Sequence, residues 1–460
     1  MLFKRIGTAI ACAAAAMIAA SGGAIAQTNA GAKTGAEPAA GAIPGPRDCF
    51  WRRGPFSADP YINIAYPDAN VFYWGSVFTI PDGARLRLEG RYPASRYMSF
   101  VSYDANGRPV ESLPDFLIAP DAGANPFAEG APRGARAQGY AIEVRNASPE
   151  TVRAIGSREA AGETNVLHAP GYGERAQQSV LYRIYLPDDG RAPAGGAPLP
   201  RPVLELASGE TLRGPEACTA LRTRQPVVLA ADAASIPPAR YRELITQPDR
   251  PDTWPAQTPA QWYIQLDRKS LLGIYTGEIN EKARRSEGGF YPNPDNFYIR
   301  TIVNRKHGPI FLVRAKAPST PQTVDGDPVM GGGQLRYWSI CSNQGFVNTR
   351  VNDCLFDEEI PVDPQGFFTV AVSRAEDRPR NARLECGIGW LPMAEDGDGM
   401  FDEDATVVQI RHMLGADDFD NSIERVERQD ALAETLGPYM PRTQYLQTNQ
   451  VEAFFPCPTR

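Results

Sequence analysis

The sequence has few of the residue patterns that mark enzymes. Among 460 residues there are only three histidines, each isolated in the sequence. It contains no G-x-S-x-G elbow, no H-E-x-x-H, no P-loop and no G-x-G-x-x-G after a predicted strand. The signatures of serine hydrolases, zinc peptidases and nucleotide-binding enzymes are therefore missing, and the sequence predicts no cofactor.

Basic runs and long apolar runs are also missing. The formal net charge is −7, and a mildly acidic chain without a basic patch is unsuited to nucleic acid. Beyond the N-terminal leader, no segment has the roughly 20 uninterrupted apolar residues that a membrane span needs. The chain is 42% apolar, enough for a sizeable core, and it is long for one ordinary domain.

The N-terminus has the parts of a secretory signal peptide. Lys4 and Arg5 precede an apolar run over 6–20, and Ala24-Ile25-Ala26 forms a small-x-small cleavage site. We predict a signal peptide over 1–26 and a flexible, Ala/Gly/Pro-rich tether over 27–48. The mature protein is expected in the periplasm or outside the cell.

The cysteines agree with an oxidising compartment. Without the leader, six remain and none forms a C-x-x-C motif, which predicts three structural disulfides. Cys341 and Cys354 flank a short segment rich in Asn and Gly and are predicted to pair, which would stabilise the fold by about 3 kcal/mol. The pairing of Cys49, Cys218, Cys386 and Cys457 stays open.

The sequence repeats itself weakly at long range. Residues 66–73 (YPDANVFY) align without gaps with 291–298 (YPNPDNFY), and the same offset continues over the next 20 residues. After an insertion, 96–100 (RYMSF) match 336–340 (RYWSI), and 183–186 (RIYL) meet 411–414 (RHML). Matches in one consistent order predict a duplication, with a period far too long for a solenoid.

Each copy is predicted to be β-structure. Residues 85–89 alternate polar and apolar, as in a half-buried strand, whereas 310–313 are apolar on both faces, as in a central strand. Helical patterns occur only at 241–245 and around Phe419, Ile423 and Val426. The predicted fold is mainly β, with two related antiparallel β-sandwich or jelly-roll-like units and a few short helices.

The predicted boundaries follow the repeat. The first β repeat covers 49–187, a connecting segment with a short helix covers 188–290, the second β repeat covers 291–415, and a C-terminal helix and tail cover 416–460. Two intimately packed halves and two independent domains both agree with these boundaries.

One ordered set of motifs resembles a known group of sequences. It comprises 336–341 (RYWSIC), 377–379 (DRP), 389–392 (GWLP) and 411–414 (RHML). It resembles secreted bacterial proteins that look like duplicated relatives of a domain-of-unknown-function family with a Trp-Leu-Pro motif. The first copy departs from that pattern, with His168-Ala169-Pro170 in place of the motif. The resemblance implies β-rich architecture and an envelope location, but no reaction.

The strand that begins at Arg96 and its duplicate carry the candidate ligand site. Side chains alternate across a strand, so Met98 and Phe100, like Trp338 and Ile340, should face the core. Hydroxyls and amides on the opposite face are predicted to form the floor of a pocket for a neutral ligand, and they belong to Tyr97, Ser99, Tyr103, Tyr337, Ser339 and Asn343.

Two other features can be interpreted either as functional sites or as ordinary structural elements. Asp396, Asp398 and Asp402 offer the oxygen ligands that calcium prefers, but they lack EF-hand spacing, so a solvated acidic turn is favoured and no metal is predicted. Trp390 could stack on a sugar, but beside Leu391 and Pro392 it is predicted to be a buried corner of a sandwich.

Three functions agree with the sequence. The leading hypothesis is a non-catalytic envelope protein that binds a small molecule, a glycan or another envelope component. The alternative is a secreted hydrolase or lyase acting on a polysaccharide or ester, with carboxylate or Tyr/Arg acid–base groups. The third is a structural partner in a larger assembly. A concave pocket with convergent polar groups would favour binding or catalysis over assembly.

Overall fold

A computed structural model of the chain describes most residues after 46. The described residues are 47–57, 62–134, 138–148, 150–152, 163–173, 176–190, 192–223, 235–279, 289–324 and 326–457. The predicted signal peptide and nearly all of the predicted tether lie outside the described residues. Residues 43–460 belong to one compact unit.

The first copy consists of ten strands in two five-stranded sheets. In chain order they are β1 (Arg53–Phe56), β2 (Val71–Phe78), β3 (Arg85–Arg91), β4 (Ser95–Tyr103), β5 (Pro109–Pro114), β6 (Gly139–Arg145), β7 (Val166–His168), β8 (Gln178–Pro187), β9 (Arg201–Glu205) and β10 (Thr211–Arg213). The first inner sheet has the order β1-β2-β8-β4-β5, and the first outer sheet has the order β10-β9-β3-β6-β7.

The second copy contains nine strands with the same arrangement. They are β11 (Tyr263–Ile264), β12 (Asn296–Asn304), β13 (Ile310–Lys316), β14 (Leu335–Asn343), β15 (Val351–Phe356), β16 (Phe367–Ser373), β17 (Gly389–Pro392), β18 (Ala405–Gly415) and β19 (Arg442–Leu446). The second inner sheet has the order β11-β12-β18-β14-β15, and the second outer sheet has the order β17-β16-β13-β19.

Short helices accompany the sheets. They are α1 (Gly214–Ala220), α2 (Pro238–Ile245), α3 (Arg268–Thr276), α4 (Leu432–Leu436) and α5 (Thr448–Phe454). The α3 helix begins at a capping box, in which Asp267 accepts the backbone N–H of Ser270. The predicted helix over 241–245 is the second half of α2.

The duplication extends to the backbone. Strands β2 to β8 correspond one to one with β12 to β18, and the only parallel pairs, β6 with β7 and β16 with β17, occupy equivalent places in the described sheets. Left-handed backbone also repeats, because Tyr66 and Tyr291 both have positive φ, as do Leu186 and Leu414. The predicted fold class, two related and mainly antiparallel β-sandwiches, is confirmed.

Three apolar layers lie between the four sheets. Trp74 and Phe100 of the first inner sheet pack with Leu86 of the first outer sheet, and Trp338 and Val370 pack between the corresponding sheets of the second copy. The third layer joins the two inner sheets and contains Tyr97, Tyr185, Tyr337 and Met413. The two copies therefore pack against each other through their inner sheets, as one body.

Alternation along the strands agrees with the sequence. Met98 and Phe100 lie in the first core and Trp338 and Ile340 in the second, as predicted. In β3 the side chains alternate between exposed and buried. By contrast, β13 is buried on both faces because it pairs with β16 and β19 and because the C-terminal segment covers its outer side.

Two ion pairs cross between the copies in a reciprocal way. Arg96 on β4 binds Asp357 of the second copy, with 3.1 Å between Nη1 and Oδ2. Arg336, the counterpart of Arg96, faces Asp115 of the first copy, with 4.0 Å between Nη1 and Oδ1. Each aspartate also accepts a backbone N–H from β4 or β14 of its own copy. The pairs therefore fix the position of one sandwich on the other.

Both copies extend beyond the predicted boundaries. Strands β9 and β10 lie in the segment that was predicted to connect the copies, yet they complete the first outer sheet, and β19 completes the second from within the predicted tail. The Pro/Gly-rich stretch over 187–202 carries the chain from the inner to the outer sheet. Proline and glycine occur both in a crossing between two sheets and in a linker between two domains, so their presence does not distinguish the two.

The predicted helix around Phe419 is wrong. Only a short 3₁₀ turn, Ile423–Arg425, forms there, and no side chain caps it. Phe419, Ile423 and Val426 are nevertheless buried in the second core. These three side chains contact the sheets from an irregular segment. Their spacing along the chain resembles the spacing of one face of a helix, which is why the sequence predicted a helix.

All six cysteines of the described chain are paired. Cys341 is bonded to Cys354, the pair that the spacing predicts, and the two residues are opposite neighbours on β14 and β15. The other disulfides join Cys49 to Cys218 and Cys386 to Cys457. Within the described residues, no helix combines the length and the apolar character that crossing a membrane requires.

The stability of the fold depends on pH through His412. Its side chain is 5% exposed on β18, and its Nδ1 accepts the backbone N–H of Ile423 at 3.2 Å. Burial lowers the pKa of His412 to about 3. In the unfolded chain the pKa is about 6.5, so the unfolded state binds more protons as pH falls below 6.5, and this group costs about 2 kcal/mol of stability at pH 5.

The variant His412→Asn keeps an acceptor for Ile423 and removes the titration. We expect the difference in unfolding free energy between the wild-type protein and this variant to shift against the wild type by about 2 kcal/mol from pH 7 to pH 5. Urea denaturation at both pH values measures it. A constant difference between the two proteins would contradict this account.

Candidate functional site

A cavity of about 320 Å³ lies between the two inner sheets. Strands β2 and β8 form one wall, β12 and β18 form another, and the segments that precede β2 and β12 close it. Its described lining contains four arginines and six tyrosines but no aspartate, glutamate, lysine or histidine: Arg53, Arg183, Arg300, Arg411, Tyr66, Tyr73, Tyr103, Tyr185, Tyr291 and Tyr298. This is the size and mixed character of a small-molecule site.

The residues that repeat in the sequence build much of this lining. Four pairs are identical in the two copies and line the cavity: Tyr66 and Tyr291, Pro67 and Pro292, Tyr73 and Tyr298, and Arg183 and Arg411. Register explains why they meet: Tyr73 lies opposite Arg183 on the first inner sheet, and Tyr298 lies opposite Arg411 on the second. The cavity therefore lies on the approximate two-fold relation between the copies.

Arg411 is neutralised by a fully buried carboxylate. Asp68 accepts hydrogen bonds at Oδ2 from Arg411, from the hydroxyl of Tyr337 at 2.8 Å and from the hydroxyl of Ser339 at 2.8 Å. Oδ1 accepts the backbone N–H of Asn70 at 2.8 Å. Four donors, one of them a cation, satisfy a carboxylate that would otherwise be costly to bury.

The equivalent arginine of the first copy has no such carboxylate. The alignment places Asn293 at the position of Asp68, so a neutral amide replaces the acid. Arg183 donates from Nη2 to the Tyr103 hydroxyl and to the Tyr291 carbonyl (2.6 Å), and its Nη1 has no hydrogen-bond partner among the described residues. The buried charge of Arg183, 2% exposed, thus lacks a counterion there.

Arg300 breaks the symmetry further. The alignment places it opposite Gly75, so only one copy has a side chain at this position. Arg300 is 3% exposed, its Nε and Nη1 have no partner among the described residues, and its guanidinium carbon lies 3.9 Å from the ring centre of Tyr66. Burial lowers the pKa of Arg300 to about 10, so it stays charged at neutral pH.

The lining around Gly75 combines apolar side chains with Arg53. Gly75 pairs with Leu181 on one neighbouring strand, two residues from the pair formed by Tyr73 and Arg183, and with Arg53 on the other. A Cβ atom at Gly75 would lie 3.2 Å from Leu181 and 3.7 Å from both Arg53 and Phe56, so these side chains already fill the space beside the glycine. Phe56, Val77 and Leu181 all line the cavity.

The lining is suited to holding and orienting a ligand. Burial raises the pKa of Tyr66 and Tyr103 above the ordinary value for tyrosine, so their hydroxyls stay protonated near neutral pH. Guanidinium groups are charged donors that cannot take up a proton at this pH. The described lining therefore offers hydrogen-bond donors and apolar surface, and it lacks a carboxylate or an imidazole for general base catalysis.

The structure brings one of the six predicted ligand-binding residues to this cavity. Tyr103 lines it, whereas Tyr97, Ser99, Tyr337, Ser339 and Asn343 do not. Those five side chains are fully buried because the predicted open face of β4 and β14 packs on the other copy. Tyr97 donates across to Asp295, Tyr337 and Ser339 to Asp68, and the Asn343 amide to the Val407 carbonyl.

Sequence reasoning missed the arginines. The signal that could have found them is the repeat, because Arg183 and Arg411 are identical in the two copies while Asp68 and Asn293, like Gly75 and Arg300, differ at equivalent positions. Residues that are identical in the two copies and face each other indicate where the copies are in contact. Positions where the two copies differ indicate where this contact is no longer symmetric.

The three aspartates of the calcium alternative do not converge. Asp396 accepts the Gln344 amide, Asp402 accepts the Asn304 amide, and Asp398 accepts two backbone N–H groups. Of the described residues, only Asp68, Cys341 and Cys354 bring three potential ligand atoms within 4.8 Å, and both cysteines are in a disulfide. The carboxylates of the turn serve the protein's own donors.

Trp390 is half-buried on the edge strand β17. Its indole N–H donates to the Ser373 hydroxyl at 3.1 Å, and the Arg378 guanidinium lies 4.2 Å from the ring centre. Leu391 is fully buried in the second core. The Trp-Leu-Pro motif therefore anchors an edge strand through Leu391, whereas Trp390, predicted to be buried, is only half-buried because it lies at the edge of the sheet.

Comparison with known proteins assigns no family to the chain. No protein-family profile matches it, and no curated protein matches it either. Among solved structures, an uncharacterized protein from Burkholderia cenocepacia is similar with a TM-score of 0.43 and 14% identity, over 86% of this chain and 81% of that chain. A Vibrio parahaemolyticus protein is similar with a TM-score of 0.38 and 10% identity, over 83% and 90%. The resemblance to a Trp-Leu-Pro family stays a prediction.

Proposed function

We propose that this protein is an exported, non-catalytic binding protein that holds one small molecule in the cavity between its two β-sandwich copies. The observation that carries the proposal is the cavity itself, about 320 Å³ lined by tyrosine and arginine side chains from both copies. A packed interface between two duplicated domains has no structural need for an open space of this size. Ligand sites occur preferentially at such boundaries between domains.

Export is the second part of the proposal. The basic, apolar and small-x-small segments at the N-terminus support a signal peptide. Three disulfides fit an oxidising compartment outside the cytoplasm. The periplasm or the extracellular medium is the location we propose. The hydrolase or lyase alternative calls for carboxylate or Tyr/Arg acid–base groups. The described lining holds tyrosines and arginines but no carboxylate, and burial raises the pKa of Tyr66 and Tyr103, which disfavours them as general bases.

Filling the cavity tests the binding function. Leu181→Trp adds a large ring to the lining beside Gly75, and Leu384→Trp makes the same change at a residue that is 51% exposed. Three probes with the same apolar body are used: 3-phenylpropanoate, 3-phenylpropan-1-ol and 3-phenylpropylamine. At least one is expected to raise the melting temperature of the wild-type protein and of Leu384→Trp, and to leave that of Leu181→Trp unchanged.

Two results would contradict the binding function. One is that no probe raises the melting temperature of the wild-type protein. The other is that Leu181→Trp responds to the probes as the wild-type protein does. Circular dichroism of both tryptophan variants verifies that they retain the β-sandwich fold.

A further inference from the structure

We infer that the ligand of this cavity is an organic carboxylate with an apolar body, whose carboxylate is bound by Arg300. The inference rests on the proposed binding function and adds the chemical class of the ligand and the residue that binds its charge. It follows from the charge of the lining, from unused donors and from the asymmetry between the two copies.

The charge of the lining is the first argument. Arg183, Arg300 and Arg411 are each at most 3% exposed, and among the described residues only Arg411 has a carboxylate partner. A buried, unpaired guanidinium costs several kcal/mol, so two of them persist only where something offsets the cost. An anionic ligand would supply the missing counterions.

The unused donors are the second argument. Nη1 of Arg183 and both Nε and Nη1 of Arg300 are buried without a hydrogen-bond partner in the described chain. Buried polar groups are nearly always hydrogen-bonded, so two arginines that line the cavity with unused donors are suited to an acceptor supplied by a ligand. A carboxylate accepts hydrogen bonds on two oxygens and pairs readily with the planar guanidinium.

The asymmetry between the copies singles out Arg300. The first copy has Gly75 at the equivalent position, where a Cβ atom would already lie 3.2 Å from Leu181, so only the second copy offers a guanidinium there. The carboxylate of the ligand therefore lies at Arg300, and its apolar body lies against the tyrosine rings and apolar side chains of the lining.

The first arm of the test compares head groups on the wild-type protein by calorimetry. We expect 3-phenylpropanoate to bind roughly 10-fold or more tightly than 3-phenylpropan-1-ol, and 3-phenylpropylamine to bind most weakly, because charge-assisted hydrogen bonds exceed neutral ones. Equal or tighter binding of the alcohol or the amine would overturn the inference while leaving the binding function intact. Binding of inorganic phosphate as tight as that of 3-phenylpropanoate would also overturn it.

The second arm uses Arg300 variants. Arg300→Met should weaken 3-phenylpropanoate roughly 10-fold or more and change the affinity for 3-phenylpropan-1-ol by less than about 2-fold, because only the carboxylate uses the guanidinium. Arg300→Lys should keep part of the affinity for the carboxylate. The control is Arg442→Met, an exposed arginine on β19, which should leave every affinity unchanged.

Stability separates a ligand-binding role of Arg300 from a structural one. Because an unpaired buried charge is removed, Arg300→Met should raise the melting temperature of the ligand-free protein by about 2 °C or more. A fall in melting temperature, or equal loss of affinity for the carboxylate and the alcohol, would show that Arg300 supports the fold and would overturn the inference. The comparison of head groups on the wild-type protein decides the matter if a variant does not fold.

Discussion

Replacing Arg96 with methionine is expected to lower the free energy of unfolding by about 3–5 kcal/mol, because it leaves buried carboxylates without their cation. The Arg96 side chain is fully buried and contacts Asp357, Glu358 and the Thr323 hydroxyl. It also donates to the Arg336 carbonyl across the contact between the copies. Methionine keeps most of the apolar volume, so the loss reports charge and hydrogen bonding more than packing.

The stability lost on replacing Arg96 should depend on pH in one direction. Burial raises the pKa of Asp357 to about 6 even with Arg96 beside it. Without Arg96 its pKa rises further, so the folded variant can escape the penalty only by protonating the carboxyl group. The destabilisation should therefore be larger at pH 8 than at pH 5. Adding Asp357→Asn to the Arg96 variant should recover part of the lost stability at pH 8.

Urea denaturation of the single and double variants measures these effects. The matched control is Arg380→Met, which removes an arginine whose side chain is 87% exposed beside Glu452 and should change stability little. Equal effects of Arg96→Met and Arg380→Met would show that the crossing ion pairs do not hold the two copies together. A larger effect at pH 5 than at pH 8 would contradict the role given to Asp357.

Removal of the three disulfides one at a time is expected to give a graded loss of stability. The bonds join residues separated by 169, 71 and 13 positions. In the chain-entropy model these loops correspond to about 5, 4 and 3 kcal/mol. Serine pairs at Cys49 and Cys218 should therefore cost most, and serine pairs at Cys341 and Cys354 least.

Thermal and urea denaturation of the three double-serine variants test this order. The wild-type protein under reducing conditions gives the reference for losing all three bonds together. The reverse order would show that the loss of packing around the buried Cys341 and Cys354 outweighs loop entropy.

Local patterns were read correctly from the sequence where one physical rule dominates. Alternation placed Met98 and Phe100 in one core and Trp338 and Ile340 in the other, because a strand with a buried face has a fixed register. Loop length and turn residues indicated the Cys341–Cys354 pair in the same way. Each of these features depends on a few neighbouring residues.

Features that depend on distant segments could not be read in this way. The polar face of β4, with Tyr97 and Ser99, looked open to a ligand, yet the other copy covers it. The arginines of the cavity come from β1, β8, β12 and β18, so nothing near Arg300 in the sequence shows that Arg183 lines the same cavity. The repeat shows that two copies exist, but not which faces they bury.

The covalent link between the copies has a consequence for how the protein responds to dilution. Two separate sandwiches with this contact would dissociate at low concentration, and a symmetric pair would present identical side chains twice to whatever lay between them. Because both sandwiches belong to one chain, the contact is intramolecular and persists at any concentration. With the proposed export and binding function, dilution outside the cell would leave the cavity assembled, and each chain would carry one site.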